Sequence, residues 1–122
     1  MILVDTSIWI DHFRSTDLTL VRALQDGQVL VHPFVLGELA LGVITVRNLA
    51  LSYLSQQPKP AIATADEVLG LIERSGLQGA GIGYVDAHLL ASALLTPDAR
   101  IWTRDQRPAA VAERMGVGFT PP

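Results

Sequence analysis

The chain has 122 residues, 49% of them hydrophobic, no cysteine, and a formal net charge of −3 with a pI near 5.4. That size and composition suit one globular domain, 1–122, and exclude a disulfide framework, a thiolate metal site and a thiol nucleophile. The acidity also excludes nucleic-acid binding through a general positive field, so any such contact must be local.

The pattern opens with "ILV" at 2–4, a short aliphatic run that ends at Asp5. "TSIWIDHFRS" then has helical spacing with a cap expected at Thr6 or Ser7. "STDLTLVRALQDG" predicts a second helix, capped at Ser15 or Thr16 and stopped at Gly27. A second aliphatic run, "VLV" at 29–31, precedes "HPFVLGELALGV", where Pro33 suits a first helical turn and Phe34 and Leu41 are expected on the apolar face. "QQPKP" at 56–60 is the clearest loop, and "AIA" at 61–63 reads as a third strand.

"TADEVLGLIERSG" carries a capping box, Thr64 with Glu67, and closes on Gly76. A glycine-rich loop, "SGLQGAGIG" at 75–83, leads into "GYVDAHLLASALLT", whose Leu89, Leu90, Ala93 and Leu94 form a stripe. "GAGIG" follows no apolar strand, which argues against a phosphate cradle. "IW" at 101–102 is a fourth strand, "RPAAVAERMG" a last helix, and "VGF" at 117–119 a possible fifth strand. Continuous apolar strands alternating with helices predict an α/β fold, a three-layer α/β/α sandwich around a central parallel sheet of four or five strands.

No basic segment, long apolar stretch or small-residue cleavage site marks the first residues, so no signal peptide is expected. The greasiest stretches are interrupted by Glu38 or too short to span a bilayer. With the lack of cysteine, these features lead to an expected cytoplasmic location.

Four acids stand out against apolar surroundings. In open α/β sheets the ligand crevice lies beyond the carboxyl ends of the strands, and Asp5 and Asp105 both follow strand ends. Glu38 and Asp86 lie on largely apolar helical segments, where an unpaired charge is costly. Singly, each has an ordinary explanation, as a helix cap, a first-turn acid or a solvated side chain. Together they can share one edge of the sheet. Carboxylates about 4 Å apart repel by about 4 kcal/mol per pair at an effective dielectric near 20, and a divalent cation removes that repulsion. An all-oxygen donor set favours Mg²⁺ or Mn²⁺, one ion or two, over Zn²⁺.

"ILVDTSIWIDHFR", "VLGELALG", "DAHLLASA" and "IWTRDQR", in this order and at these separations, resemble the PIN-domain ribonucleases, and most closely the VapC toxins of toxin–antitoxin pairs. The resemblance covers nearly the whole chain. It implies Mg²⁺- or Mn²⁺-dependent endonucleolytic cleavage of RNA, with tRNA or rRNA as targets. It also implies a homodimer and a cognate VapB-type antitoxin that blocks the site. The family's acids match Asp5, Glu38, Asp86 and Asp105, as catalytic and metal-holding residues, and its accessory hydroxyls match Ser7 and Thr103. Pro108 departs from the aromatic or aliphatic residue the family often carries there, and reads as a helix start.

Eight of the nine basic residues are arginine, a side chain suited to phosphate, and Arg14, Arg104 and Arg107 are the candidates for RNA contact. His12, His32 and His88 are spread over three segments and are expected to be packed or surface residues. Trp9, Phe13 and Trp102 are expected in the core or at a dimer contact. Two readings compete with the nuclease. A phosphorylated receiver module would need a lysine at a late strand end and a second acid after the first strand; Lys59 lies between prolines and "VDTS" lacks that acid. A catalytically silent PIN-like domain that only binds partners is the other.

Overall fold

Ile2, Leu3 and Val4 offer no polar side chain to turn outward, and as β1 (Ile2–Val4) they occupy the centre of a parallel sheet. The computed structural model describes residues 1–44 and 46–122. β1 pairs in parallel with β2 (Val29–Leu30) on one side and with β3 (Arg100–Trp102) on the other, giving the order β2, β1, β3. Among the described residues seven helices flank this sheet: α1 (Thr6–Arg14), α2 (Leu18–Gln25), α3 (Pro33–Leu41), α4 (Arg47–Ser55), α5 (Ala65–Ser75), α6 (Tyr84–Leu95) and α7 (Gln106–Arg114). The architecture is the expected three-layer α/β/α, and the chain reverses strand order at β1. Its carboxyl end is therefore the switch point where a crevice opens.

Two expected strands differ. Residues 61–63 pair with no strand: Val31 N–H donates to Pro58 O (2.9 Å), upstream of the segment, and Ala61 N–H turns to Thr96 Oγ1 (2.8 Å). The run at 117–119 contributes a single parallel bridge, Ile101 with Gly118, held by Ile101 N–H to Val117 O (2.7 Å) and Phe119 N–H to Ile101 O (2.8 Å). The sheet thus has three strands and one bridge among the described residues.

Helix starts follow acceptor geometry more than residue class. Asp5, not Thr6 or Ser7, caps α1, and Asp17, not Ser15 or Thr16, caps α2, accepting from Leu20 N–H at 3.1 Å. A carboxylate in extended backbone just before the first turn reaches free N–H groups that a residue already inside the helix cannot. His32 caps α3 through Nδ1, accepting from Phe34 N–H at 2.9 Å, with Pro33 in the first turn as expected. The capping box of α5 and its left-handed Gly76 are as read. Pro108 is the third residue of α7, which begins at Gln106 with Asp105 at the capping position.

α4 was not legible: Val46, left-handed at φ 53°, precedes it, and no side chain caps it. The apolar face of α3 is also misjudged by spacing, since Val35 and Leu39 are buried while Phe34 (41% exposed) and Leu41 (90%) face outward. In α6, Ala87 to Ala93 are all buried, wider than the stripe expected, and Leu94 lies outside it. Trp9 and Trp102 are core residues; Trp102 meets Phe119 edge-on at 5.3 Å, and Phe13 packs on Trp9 at 6.1 Å. No described helix is long and apolar enough to cross a membrane.

Candidate active site

Asp5 leaves β1 with its backbone still in the sheet, N–H donating to Trp102 O at 2.9 Å, so its carboxylate is delivered to the crevice by the sheet itself. It is 5% exposed. Burying a carboxylate demands donors, and three converge on Oδ2: Ser7 Oγ (2.7 Å), Thr103 Oγ1 (2.8 Å) and, at the limit of length, Ser7 N–H (3.4 Å). Each hydroxyl gives its one proton to Asp5 and accepts a backbone N–H in turn, Arg104 N–H on Ser7 Oγ (3.0 Å) and Asp105 N–H on Thr103 Oγ1 (3.1 Å). Ser7 and Thr103 therefore fix Asp5 and the loop that bears Asp105 in one network.

The neighbouring acids are held more lightly. Asp86, in the first turn of α6, accepts Gly83 N–H on Oδ2 at 2.9 Å. Burial raises its pKa, the Gly83 bond opposes the rise, and the charges of Asp5, Asp105 and Glu38 add to it. The charges of the other three acids thus reach Asp86. Glu38 is exposed on α3 and takes Thr6 Oγ1 on Oε1 at 2.6 Å. Asp105 is exposed at the head of α7, with no side-chain bond to the helix it precedes.

Asp5, Asp86 and Thr103 line a cleft of about 10 Å³, closed behind by Leu89, Leu90, Ile101 and Pro108. That is room for about one water-sized occupant. Asp86 also faces, with Asp105 and Arg107, an open crevice of about 520 Å³. A third hollow, about 270 Å³, joins Glu38 and Arg14 to the apolar Ile10, Phe13, Leu39, Val43 and Ile44.

Among the described residues no three acidic or histidine side chains stand close enough to hold one ion directly. The close packing of carboxylates expected from sequence is therefore looser in the fold. The donor set still fits a hard cation that keeps part of its water shell: Asp5, Asp86 and Glu38 each spend one oxygen on an anchoring bond, and no described hydrogen bond engages the other.

The arginines separate. Arg14 lines the hollow beside Glu38, and Arg107 lies beside Asp105, its side chain filling the space above Gly81 (φ +78°) that a Cβ would take. Arg104 also borders the open crevice of Asp86 and Asp105, but its guanidinium is engaged elsewhere: its Nε donates to Asp11 Oδ2 (2.9 Å) and its Nη2 to Asp17 Oδ2 (3.1 Å). The histidines take no part. His12 accepts Asp17 N–H, and His32 and His88 are buried, 6.4 Å apart and framed by Phe34 and Tyr84.

The order of motifs and this geometry agree with a family comparison: the model of the PIN domain matches residues 2–114. The chain belongs to the PIN domain family. Its curated relatives include "Ribonuclease VapC32" of Mycobacterium tuberculosis, from strain CDC 1551 / Oshkosh and from strain ATCC 25618 / H37Rv. Each is 48% identical over 119 residues, covering 98% of this chain and 96% of the relative. A PIN domain along this length removes the receiver reading.

Proposed function

We propose that this protein is a VapC-type endoribonuclease, the toxin of a toxin–antitoxin pair, which cuts RNA with the help of Mg²⁺ or Mn²⁺. The observation that carries the reading is the water-sized gap shared by Asp5 and Asp86, with Asp105 on the open crevice that Asp86 also faces. Similarity to the two ribonucleases supports it along the chain's length.

One or two such ions, when bound by Asp5, Asp86 and Asp105, with Glu38 as a further donor, would lower the pKa of water and stabilise the charge that builds on the phosphate. The protein's own part is positional. Asp5 presents a fixed charge, because the hydroxyls of Ser7 and Thr103 occupy its other oxygen. Asp86, its pKa raised by burial, would be held in its charged form by a neighbouring cation. Glu38, free to swing about a single bond from Thr6, orients the attacking water and takes its proton. Arg14 and Arg107 flank the acids and contact the phosphates on either side of the cut.

The net charge of −3 calls for few phosphate contacts and recognition of a structured or unpaired feature, with tRNA or rRNA the expected substrate. The apolar hollow beside Glu38 suits an antitoxin segment that orders on binding and covers the acids. A homodimer and a cytoplasmic location complete the reading.

The test is to sequence RNA ends that appear on expression, in wild type beside Asp5→Asn, and to repeat the cleavage in vitro with and without chelator. Discrete new ends that vanish in the variant and with chelator are expected. No new ends in wild type would instead support a domain that only binds partners, and new ends unchanged in Asp5→Asn would remove Asp5 from the chemistry.

A further inference from the structure

Arg104 borders the open crevice of Asp86 and Asp105, and its guanidinium carries both ion pairs found among the described residues. Its guanidinium spans two carboxylates on different elements, Asp11 in α1 through Nε at 2.9 Å and Asp17 at the start of α2 through Nη2 at 3.1 Å. Its Cζ also lies 5.9 Å from the centre of the buried Trp102 ring. Asp17 is occupied at both oxygens, Oδ1 capping α2 through Leu20 N–H at 3.1 Å and Oδ2 holding Arg104. Thus α1, the head of α2 and the loop after β3 meet at one side chain.

Arg104 sits between Thr103 and Asp105. Its own N–H donates to Ser7 Oγ (3.0 Å) and the next N–H to Thr103 Oγ1 (3.1 Å). The backbone on which Asp105 rides is therefore pinned from inside by the hydroxyl network and from outside by the guanidinium. Asp105 itself makes no capping bond, so nothing of its own side chain fixes it.

We infer that Arg104, with Asp11 and Asp17, is a positioning clamp: it sets the loop that presents Asp105 and the Ser7 and Thr103 hydroxyls to the site, and it is not a phosphate contact. The kinetic part of this inference rests on the nuclease reading. Half-exposed ion pairs contribute little to overall stability, so the clamp acts on geometry more than on folding. A planar fork can serve two carboxylates at once, which a lysine ammonium cannot do in the same geometry.

The experiment compares Arg104→Gln, Arg104→Lys, the pair Asp11→Asn with Asp17→Asn, and the triple variant with Gln. Asparagine at 17 keeps the cap of α2. Four readouts are taken: cleavage of total cellular RNA, binding of a fluorescein-labelled single-stranded RNA across salt concentrations, thermal unfolding, and amide hydrogen exchange at Arg104 and Asp105.

The clamp predicts kcat lowered on the order of tenfold in each variant, with KM and melting temperature near wild type, and a triple variant no worse than Arg104→Gln. It predicts faster exchange at both amides in all variants, lysine included. Wild-type kcat and exchange in the Asp11 and Asp17 pair would overturn it. So would full recovery by lysine, or a raised KM and a salt slope smaller by roughly 0.7, as expected for one lost phosphate, confined to Arg104→Gln. If wild type cleaves no RNA, the nuclease reading fails, and the exchange measurement alone decides whether the loop is held this way.

Discussion

Asp5 and Glu38 are carboxylates on the same rim, yet Asp5 is 5% exposed with three donors on one oxygen, whereas Glu38 stands in solvent on α3 with one bond from Thr6. The difference follows from what carries each. A residue at the end of a central strand is surrounded by neighbouring strand ends and must find buried donors. A residue on the outer face of a helix needs none. One half of the site is thereby fixed at folding and the other half remains adjustable, which suits the proposed pairing of a charge of set position with a proton acceptor.

The sharpest way to break this comparison is Asp5→Asn. If Asp5 holds the proposed metal, loss of its fixed charge should lower RNA cleavage by about 10³, several kcal/mol in the barrier, while urea unfolding shows the fold retained, since the amide oxygen still accepts from Ser7 and Thr103. Cleavage within a few-fold of wild type would mean that the buried acid serves only as a cap.

The next effect comes from acid and bears on the adjustable half, because α3, which carries Glu38, is capped by His32. Burial, with the nearby His88, pushes His32 down to about 4 from 6.5. Between those values the unfolded chain binds a proton that the folded one refuses, so the stability present above pH 6.5 is lost as pH falls toward 4, on the order of 3 kcal/mol. Urea unfolding at pH 7 and 4.5 measures the loss, and His32→Asn, which keeps a capping acceptor, should flatten it.

Glu38→Gln should lower cleavage by about 10² through loss of the proton acceptor, with stability unchanged because the side chain is exposed and its amide oxygen still takes Thr6 Oγ1. Equal losses in Asp5→Asn and Glu38→Gln would erase the distinction between the halves. Smallest of all, Thr6→Val removes the single tether of Glu38 and should change cleavage less than about fivefold. A larger drop would show that the outer acid also needs a fixed position.

Much of this site was legible because its acids interrupt apolar runs: Asp5 after "ILV", Glu38 inside "VLGELALG" and Asp86 before "AHLLASA" are conspicuous by the cost of charge among aliphatics. The sheet was legible for the same reason at β1 and β2. The absence of a strand at 61–63 was not readable, since it turns on Ala61 N–H bonding Thr96 Oγ1, 35 residues away. The orientation of α3 was not readable, because nearly every position of that helix is apolar and only its packing partners choose a face. Nor was the engagement of Arg104, which depends on where Asp11 and Asp17 come to lie 93 and 87 residues away. The motif spacing located the acids without revealing that they stand too far apart to chelate an ion unaided.

The bond from Thr103 to Asp5 spans 98 positions of a chain made from its amino end. A ribosome that has released the first hundred residues has produced Asp5, Glu38 and Asp86, but neither the hydroxyl that secures Asp5 nor the fourth acid. Under the proposed function, a copy truncated there is expected to leave RNA uncut, which in vitro cleavage by a 1–100 fragment would check.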